Sequence, residues 1–215
     1  MCGRYMVTVS RKQLAERFAA EDTLAADAPP GVIAPSQTAA VITMERKLEA
    51  QRWGLKPAWA PHSGHSSVLL INARAESLTQ KPTFRDLLAR QRCLIPANGF
   101  FEWEKLPTGK KRALYFRLPN GGPFAFAGLW MMQPDTQQRA FTIITTAAND
   151  TVKAVHDRMP AMLPATAEAD WLNPGAEVEA LLALLRPYTE QPLRIEDGAL
   201  RLAPPSATQQ TLLPF

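Results

Sequence analysis

The apolar positions along this chain change period several times, and each change predicts an element. In "SRKQLAERFAAE", Leu14 and Phe18 lie four residues apart with polar residues between them, the spacing of one helix face. Ser10 and Gln13 stand three apart at its start, as a capping box requires, so a short helix begins after Ser10. "PTFRDLLARQR" predicts a second helix that runs into the strand-like "CLIP". "AAVITM" and "LEAQRWGL" flank the turn-like "ERK" and predict a hairpin, while "SVLLINARAE" begins as a buried strand. "GFFEWEKL", "RALYFRL" and "FAFAGLW" predict aromatic-rich strands, separated by the turn formers of "PTGKK" and "PNGGP". "AFTIITT" is a β-branched strand, "ANDTVKAVH" a helix start with Asn149 or Asp150 near its cap, and "AEVEALLALL" a surface helix. Successive strands joined by short turns pair antiparallel. The expected class is α+β, with a closed or strongly curved, mainly antiparallel, barrel-like sheet flanked by short helices. No repeat, low-complexity tract or internal boundary divides the chain, so residues 1–215 read as a single domain.

Composition narrows the picture. A chain of 215 residues with 46% hydrophobic and 20% charged residues is an ordinary globular protein, not a disordered one. No apolar run reaches the length of a membrane span, and the first residues lack the basic-then-apolar pattern of a signal peptide. The expectation is a cytoplasmic protein, nucleoid-associated if bacterial, with no membrane partner and with Cys2 and Cys93 reduced. A formal net charge of +4 and a pI near 9.3 point to anionic partners, nucleic acid first. No five-residue run is solely basic, so the fold itself must gather that charge.

Four places could carry chemistry. Cys2 follows the initiator methionine, and removal of Met1 would give an N-terminal cysteine with an amine and a thiol on adjacent carbons. The alternative is a small hydrophobe at the start of a buried strand. In "INARAE", an extended backbone puts Asn72, Arg74 and Glu76 on one face opposite Ala73 and Ala75. That face is either a polar cleft or an exposed strand surface with a salt bridge. Glu102 stands between Phe101 and Trp103, where burial would make its carboxyl an acid near neutral pH. Otherwise Glu102 and Glu104 face water. His156, beside Asp157 and Arg158, is either a proton shuttle or a packed side chain at a helix end. His62 and His65 could join Cys2 and Cys93 as four zinc ligands by count, yet neither cysteine lies in a paired-ligand motif. No metal and no cofactor is expected. A phosphate-binding glycine loop, a dinucleotide fingerprint and a serine-hydrolase elbow are absent.

Read in order, "MCGRY", "APSQ", "RWGLKPAWA", "INARAES", "RCLIPANGFFEW", "FAGLW", "FTIITTAAN" and "HDRMPAML" resemble the SRAP (SOS response-associated peptidase) family over roughly residues 2–164. The resemblance implies a curved antiparallel barrel with a positively charged groove. It also implies a monomer that binds single-stranded DNA and protects abasic sites through a covalent crosslink at Cys2, and a thiol autopeptidase activity that removes what precedes that cysteine. Carried over by position, Cys2 is the nucleophile, Asn72 holds the reacting amine and sugar, Glu102 is the acid–base residue and His156 assists proton transfer. Arg4, Arg74 and Arg158 match phosphate-binding positions, and Trp59 and Trp103 match aromatics near the bases. The sequence departs from the family at Val32, where asparagine is usual, and in the C-terminal "LRIEDGALRLAPPSATQQTLLPF". The alternatives to crosslinking are a peptidase that cleaves in trans through Cys2 and a non-covalent binder of modified DNA.

Overall fold

The computed structural model describes residues 2–24, 30–57 and 69–202. In chain order its elements begin with β1 (Tyr5–Val7), α1 (Arg11–Phe18), β2 (Glu21–Asp22), β3 (Gly31–Ile33), β4 (Thr38–Thr43) and β5 (Lys47–Trp53). The middle of the chain forms β6 (Asn72–Arg74), α2 (Pro82–Arg90), β7 (Arg92–Ala97), β8 (Gly99–Lys105), β9 (Lys111–Arg117), β10 (Phe124–Met132) and β11 (Arg139–Ala147). It ends with α3 (Asp150–Lys153), β12 (Arg158–Pro160), β13 (Met162–Leu163), α4 (Glu168–Leu172), α5 (Val178–Ala183), β14 (Arg194–Asp197) and α6 (Gly198–Leu202).

Five strands close on themselves. The ring runs β11, β10, β7, β4, β5 and back to β11, with four antiparallel contacts. The closing contact, Ala140 beside Arg52 and Phe141 beside Trp53, is parallel. The short strand β6 also lies parallel on β11, with Asn72 beside Ile143 and Arg74 beside Thr145. On the same strand β12 pairs antiparallel, with Arg158 beside Ala147. A second, wholly antiparallel sheet has the order β14, β9, β8, β1, β3. The barrel expectation holds, with parallel seams that local turns cannot encode.

Local sequence explains the helices. Ser10 and Gln13 cap α1 reciprocally, and Leu14 and Phe18 are its buried face. Asn149 caps α3 by accepting from the Val152 amide at 3.0 Å. "AEVEALLALL" forms only the six residues of α5. Between the helices and the barrel lies Arg92, fully buried. Its guanidinium donates to the carbonyls of Leu88, Ala89, Trp171 and Asn173 at 2.6–2.8 Å, which ties the C-terminal ends of α2 and α4 to one cation.

Two large packing clusters result. One joins Leu14, Phe18, Leu88 and Trp171 under the helices. The other holds Cys2, Tyr5, Trp53, Phe100, Phe126 and Phe141. In it Trp53 meets Tyr5 edge-on at 5.3 Å and stacks on Phe141 at 6.2 Å. Gly99 permits the approach of β9, because a Cβ there would come within 2.4 Å of the Tyr115 ring.

One strand reading is corrected. From Leu69 onward "SVLLINARAE" does not form the expected buried strand: Leu70 makes a single bridge to Leu55, Leu69 to Asn72 are half-buried, and β6 has three residues. The chain then turns into a 3-10 helix over Ala75–Ser77, so Glu76 leaves the face shared by Asn72 and Arg74. Among the described residues no helix is long and apolar enough to cross a membrane. Trp59, His62 and His65 lie outside the described residues.

Candidate functional site

The site forms where the first residues run beside β8. Tyr5 is opposite Phe100, and the Phe101 amide donates to the Arg4 carbonyl at 2.9 Å. The residues before Arg4 therefore pass alongside Glu102. Strand alternation puts Phe100 and Glu102 on one face, toward the cluster that contains Cys2. Phe101 and Trp103 point the other way and pack with Met6 and Tyr115. The aromatic neighbours in sequence are thus not the ones around the carboxyl. Burial against the Cys2 cluster is what changes its chemistry.

Glu102 is 3% exposed, and its pKa is pushed up to about 7, chiefly by burial and further by the Asp157 carboxylate. Glu104, by contrast, pairs with Arg112 at 2.6 Å on the surface. Cys2 is fully buried, and its thiol is driven upward by burial first and by Glu102 second. It stays protonated at neutral pH. Asn72 joins the two strands' chemistry, because its Nδ2 donates to the Cys2 carbonyl at 2.9 Å. Its Oδ1 is buried and accepts no hydrogen bond among the described residues.

His156 follows the turn that ends α3. Its Nδ1 lies 2.9 Å from both the Arg158 amide and the Asp157 carboxylate. The two contacts require opposite protonation. An amide only donates, so it needs a bare Nδ1; a carboxylate needs Nδ1–H. Burial lowers the His156 pKa, which assigns the neutral ring with hydrogen on Nε2 and Nδ1 accepting from Arg158. A proton gained at Nδ1 would turn to Asp157.

The expected phosphate ligands separate into two kinds. Arg4 is exposed and lies 5.8 Å above the half-buried Trp103 ring, a cation and a flat ring on one surface. Arg74 is exposed at the end of β6. Arg158 instead grips both oxygens of Glu76 at 2.7 and 2.8 Å and donates to the Thr145 carbonyl at 2.7 Å. The Glu76–Arg158 pair spans 82 residues. Its signal in the sequence was only the salt-bridge alternative for "INARAE", which named no partner. Asp157 was visible beside His156, but its action on Glu102 depends on the fold. No group of three or more His, Cys, Asp or Glu suited to a metal occurs among the described residues.

The model of the SOS response associated peptidase (SRAP) family matches residues 1–197. The chain belongs to this family. The match passes the last sequence motif at residue 164 and takes in β14. The chain is 37% identical over 197 residues to the abasic site processing protein YoqW of Bacillus subtilis, covering 87% of this chain and 88% of that one. It is 30% identical over 156 residues to the abasic site processing protein HMCES of Xenopus tropicalis, covering 61% and 46%. A crystal structure from Bordetella bronchiseptica superposes with a TM-score of 0.74 at 27% identity, over 91% of this chain and 99% of its own. One from Bacteroides thetaiotaomicron gives 0.81 at 24% identity over 96% and 97%, a likeness of fold. Within this SRAP fold the two departures seen in the sequence meet. Val32, opposite Met6 in β3, and Leu202 in α6 both pack on the Met6, Phe101 and Tyr115 cluster that also holds Trp103.

Proposed function

We propose that this chain processes abasic sites in single-stranded DNA by forming a covalent crosslink at Cys2 after Met1 is removed, by an aminopeptidase or by the chain's own thiol. The observation that supports this most is the Asn72 hydrogen bond to the Cys2 carbonyl beside a buried Glu102 whose pKa is about 7. The chemistry closes without an outside reactant. A ring-opened abasic site presents an aldehyde. The Cys2 amine attacks its carbon, water leaves, and a C=N bond forms. The thiol then adds across that bond: a C–S bond forms, and the thiol proton passes to nitrogen, giving a five-membered thiazolidine. Glu102, about half protonated near neutrality, gives a proton to the sugar oxygen as the ring opens and accepts one later. Asn72 fixes the Cys2 backbone, and neutral His156 offers Nε2–H to developing negative charge. Arg4, Arg74 and Trp103 supply an exposed surface suited to phosphates and a base.

The test is to incubate the purified protein, with Cys2 shown by intact mass to be N-terminal, with an oligonucleotide carrying one abasic site, and run a denaturing gel. A covalent band that vanishes in Cys2→Ala is the expected result. Cleavage of an unrelated peptide without a band would make the chain a peptidase. Salt-reversible binding alone would make it a non-covalent binder. Stable crosslinking by protein that retains Met1 would sink the mechanism, because an amide nitrogen cannot form the imine.

A further inference from the structure

Arg158 already holds an anion, and it belongs to the protein. The two members of this pair are held very differently. Arg158 is 13% exposed, and its Nη2 also donates to the Thr145 carbonyl, so β11 fixes the guanidinium independently of Glu76. Glu76 is 57% exposed and sits on the 3-10 turn just past β6. It is the member that can leave. A carboxylate and a phosphate present the same pair of oxygens to the guanidinium fork. Arg74, two residues before Glu76, is exposed, and the described residues give it no ion pair.

We infer that Glu76 occupies the seat of a strand phosphate on Arg158 and acts as a specificity gate. This rests on the DNA-binding part of the proposed function. The tethered carboxylate competes at the millimolar effective concentration of an intramolecular ligand. A free phosphate or a small sugar phosphate must displace it unaided. A DNA strand already engaged at Arg4 and Arg74 delivers its phosphate as a second intramolecular ligand and can exchange with Glu76. The gate thus favours a strand over small anions, and Glu76 swings to solvent when the strand is bound.

The experiment uses an oligonucleotide without an abasic site, so that binding is read apart from crosslinking. Fluorescence anisotropy is measured across a salt series for wild type, Glu76→Gln, Arg158→Gln and the double variant. Glu76→Gln is expected to tighten binding about two- to fivefold, the worth of a largely exposed ion pair. The log–log salt slope should stay close to that of wild type, because the strand phosphate sits on Arg158 in both, and should flatten by about 0.7 in Arg158→Gln. Inorganic phosphate, against chloride of equal ionic strength, should displace the strand from Glu76→Gln at lower concentration than from wild type. The gain should disappear in the Arg158→Gln background. Unchanged or weaker binding by Glu76→Gln, or a gain that survives without Arg158, would overturn the gate. So would loss of folding in both Glu76→Gln and Glu76→Ala, which would make the pair a brace. Strand binding with no crosslinking overturns only the covalent chemistry, whereas no strand binding by any form overturns both readings.

Discussion

Glu102 and Glu168 are nearly equally buried, 3% and 6% exposed, yet only one of them is a candidate acid. Burial raises the pKa of both. At the start of α4, Arg17 opposes that rise by taking both Glu168 oxygens at 2.9 and 3.0 Å. At Glu102 burial is the largest influence, the positive amino terminus opposes it, and the Asp157 carboxylate adds a smaller push in the direction of burial. Glu168 is thereby a fixed anion joining α1 to α4. Glu102 is a group whose proton is exchangeable near pH 7. Depth alone makes a carboxyl costly; the bidentate guanidinium makes Glu168 a fastener, whereas at Glu102 burial outweighs the opposing positive charge and leaves a proton that exchanges near pH 7.

The comparison breaks most sharply in the reaction rate. Glu102→Gln is expected to slow single-turnover crosslinking by about 10²–10⁴, the usual contribution of a positioned acid–base group. Binding of the strand should change far less. Glu168→Gln should leave the rate unchanged, because its carboxyl faces α1. Equal rates in wild type and Glu102→Gln would place Glu102 with Glu168 as a structural residue.

Stability should move the opposite way. The folded pKa of Glu102 lies above the ordinary glutamate value of 4.5, so between pH 4.5 and about 7 the folded state binds more protons than the unfolded one. The folded protein therefore loses stability as pH rises through that window. A shift of this size corresponds to about 3 kcal/mol. Glutamine resembles the protonated acid, so Glu102→Gln should gain up to about that amount at pH 8 and almost nothing at pH 4. Urea unfolding at the two pH values checks it. A gain equal at both would mean that the ionised carboxylate is not the source.

How far the sequence carried this comparison depends on the range of each interaction. The α1 capping box, the α3 cap and the β4–β5 hairpin are local: Ser10, Gln13, Leu14 and Phe18 predicted the first, "ANDTVKAVH" the second as Asn149 or Asp150, and the turn-like "ERK" the third. Glu102 was legible as a choice between two faces, and β8 alternation with the antiparallel register of β1 resolves it. The parallel closure of β5 on β11 joins segments about ninety residues apart, and no local signal marks it. The same is true of Arg17 with Glu168, separated by 151 residues, and of Arg158 with Glu76. Nothing in "PTFRDLLARQR" marks Arg92 as buried. Its burial follows from four carbonyls that only the packed ends of α2 and α4 bring together.

Removing the cation from the fastener sharpens the contrast from the other side. Arg17→Ala leaves Glu168 buried without its bidentate partner, and about 1–3 kcal/mol of stability should be lost at pH 8. Glu168→Gln in the same background should recover part of it, since an amide is less costly to bury than a carboxylate. Crosslinking by the folded fraction should stay at the wild-type rate. A rate that falls with Arg17→Ala while the protein remains folded would show that α1 and α4 act on the site after all.

The smallest effect isolates one negative neighbour of the site carboxyl. Asp157 is one cause of the raised Glu102 pKa, and its side chain is 86% exposed. Asp157→Asn removes a negative neighbour, so Glu102 should ionise at lower pH. The limb of the crosslinking pH profile that belongs to Glu102 should shift downward. Burial remains the larger cause, so the shift should be small. Water and salt also reach Asp157, and the Debye length falls from about 10 Å at 0.1 M to about 3 Å at 1 M. The shift between wild type and Asp157→Asn should therefore shrink as salt rises, while the raised midpoint common to both persists. Asp157 also faces His156 Nδ1, so the variant lowers any imidazolium population at the same time. That effect appears on a separate limb, below the ordinary histidine range, because burial already lowers the His156 pKa. A Glu102 limb that does not move at low salt would leave burial alone as what raises the pKa of the site carboxyl.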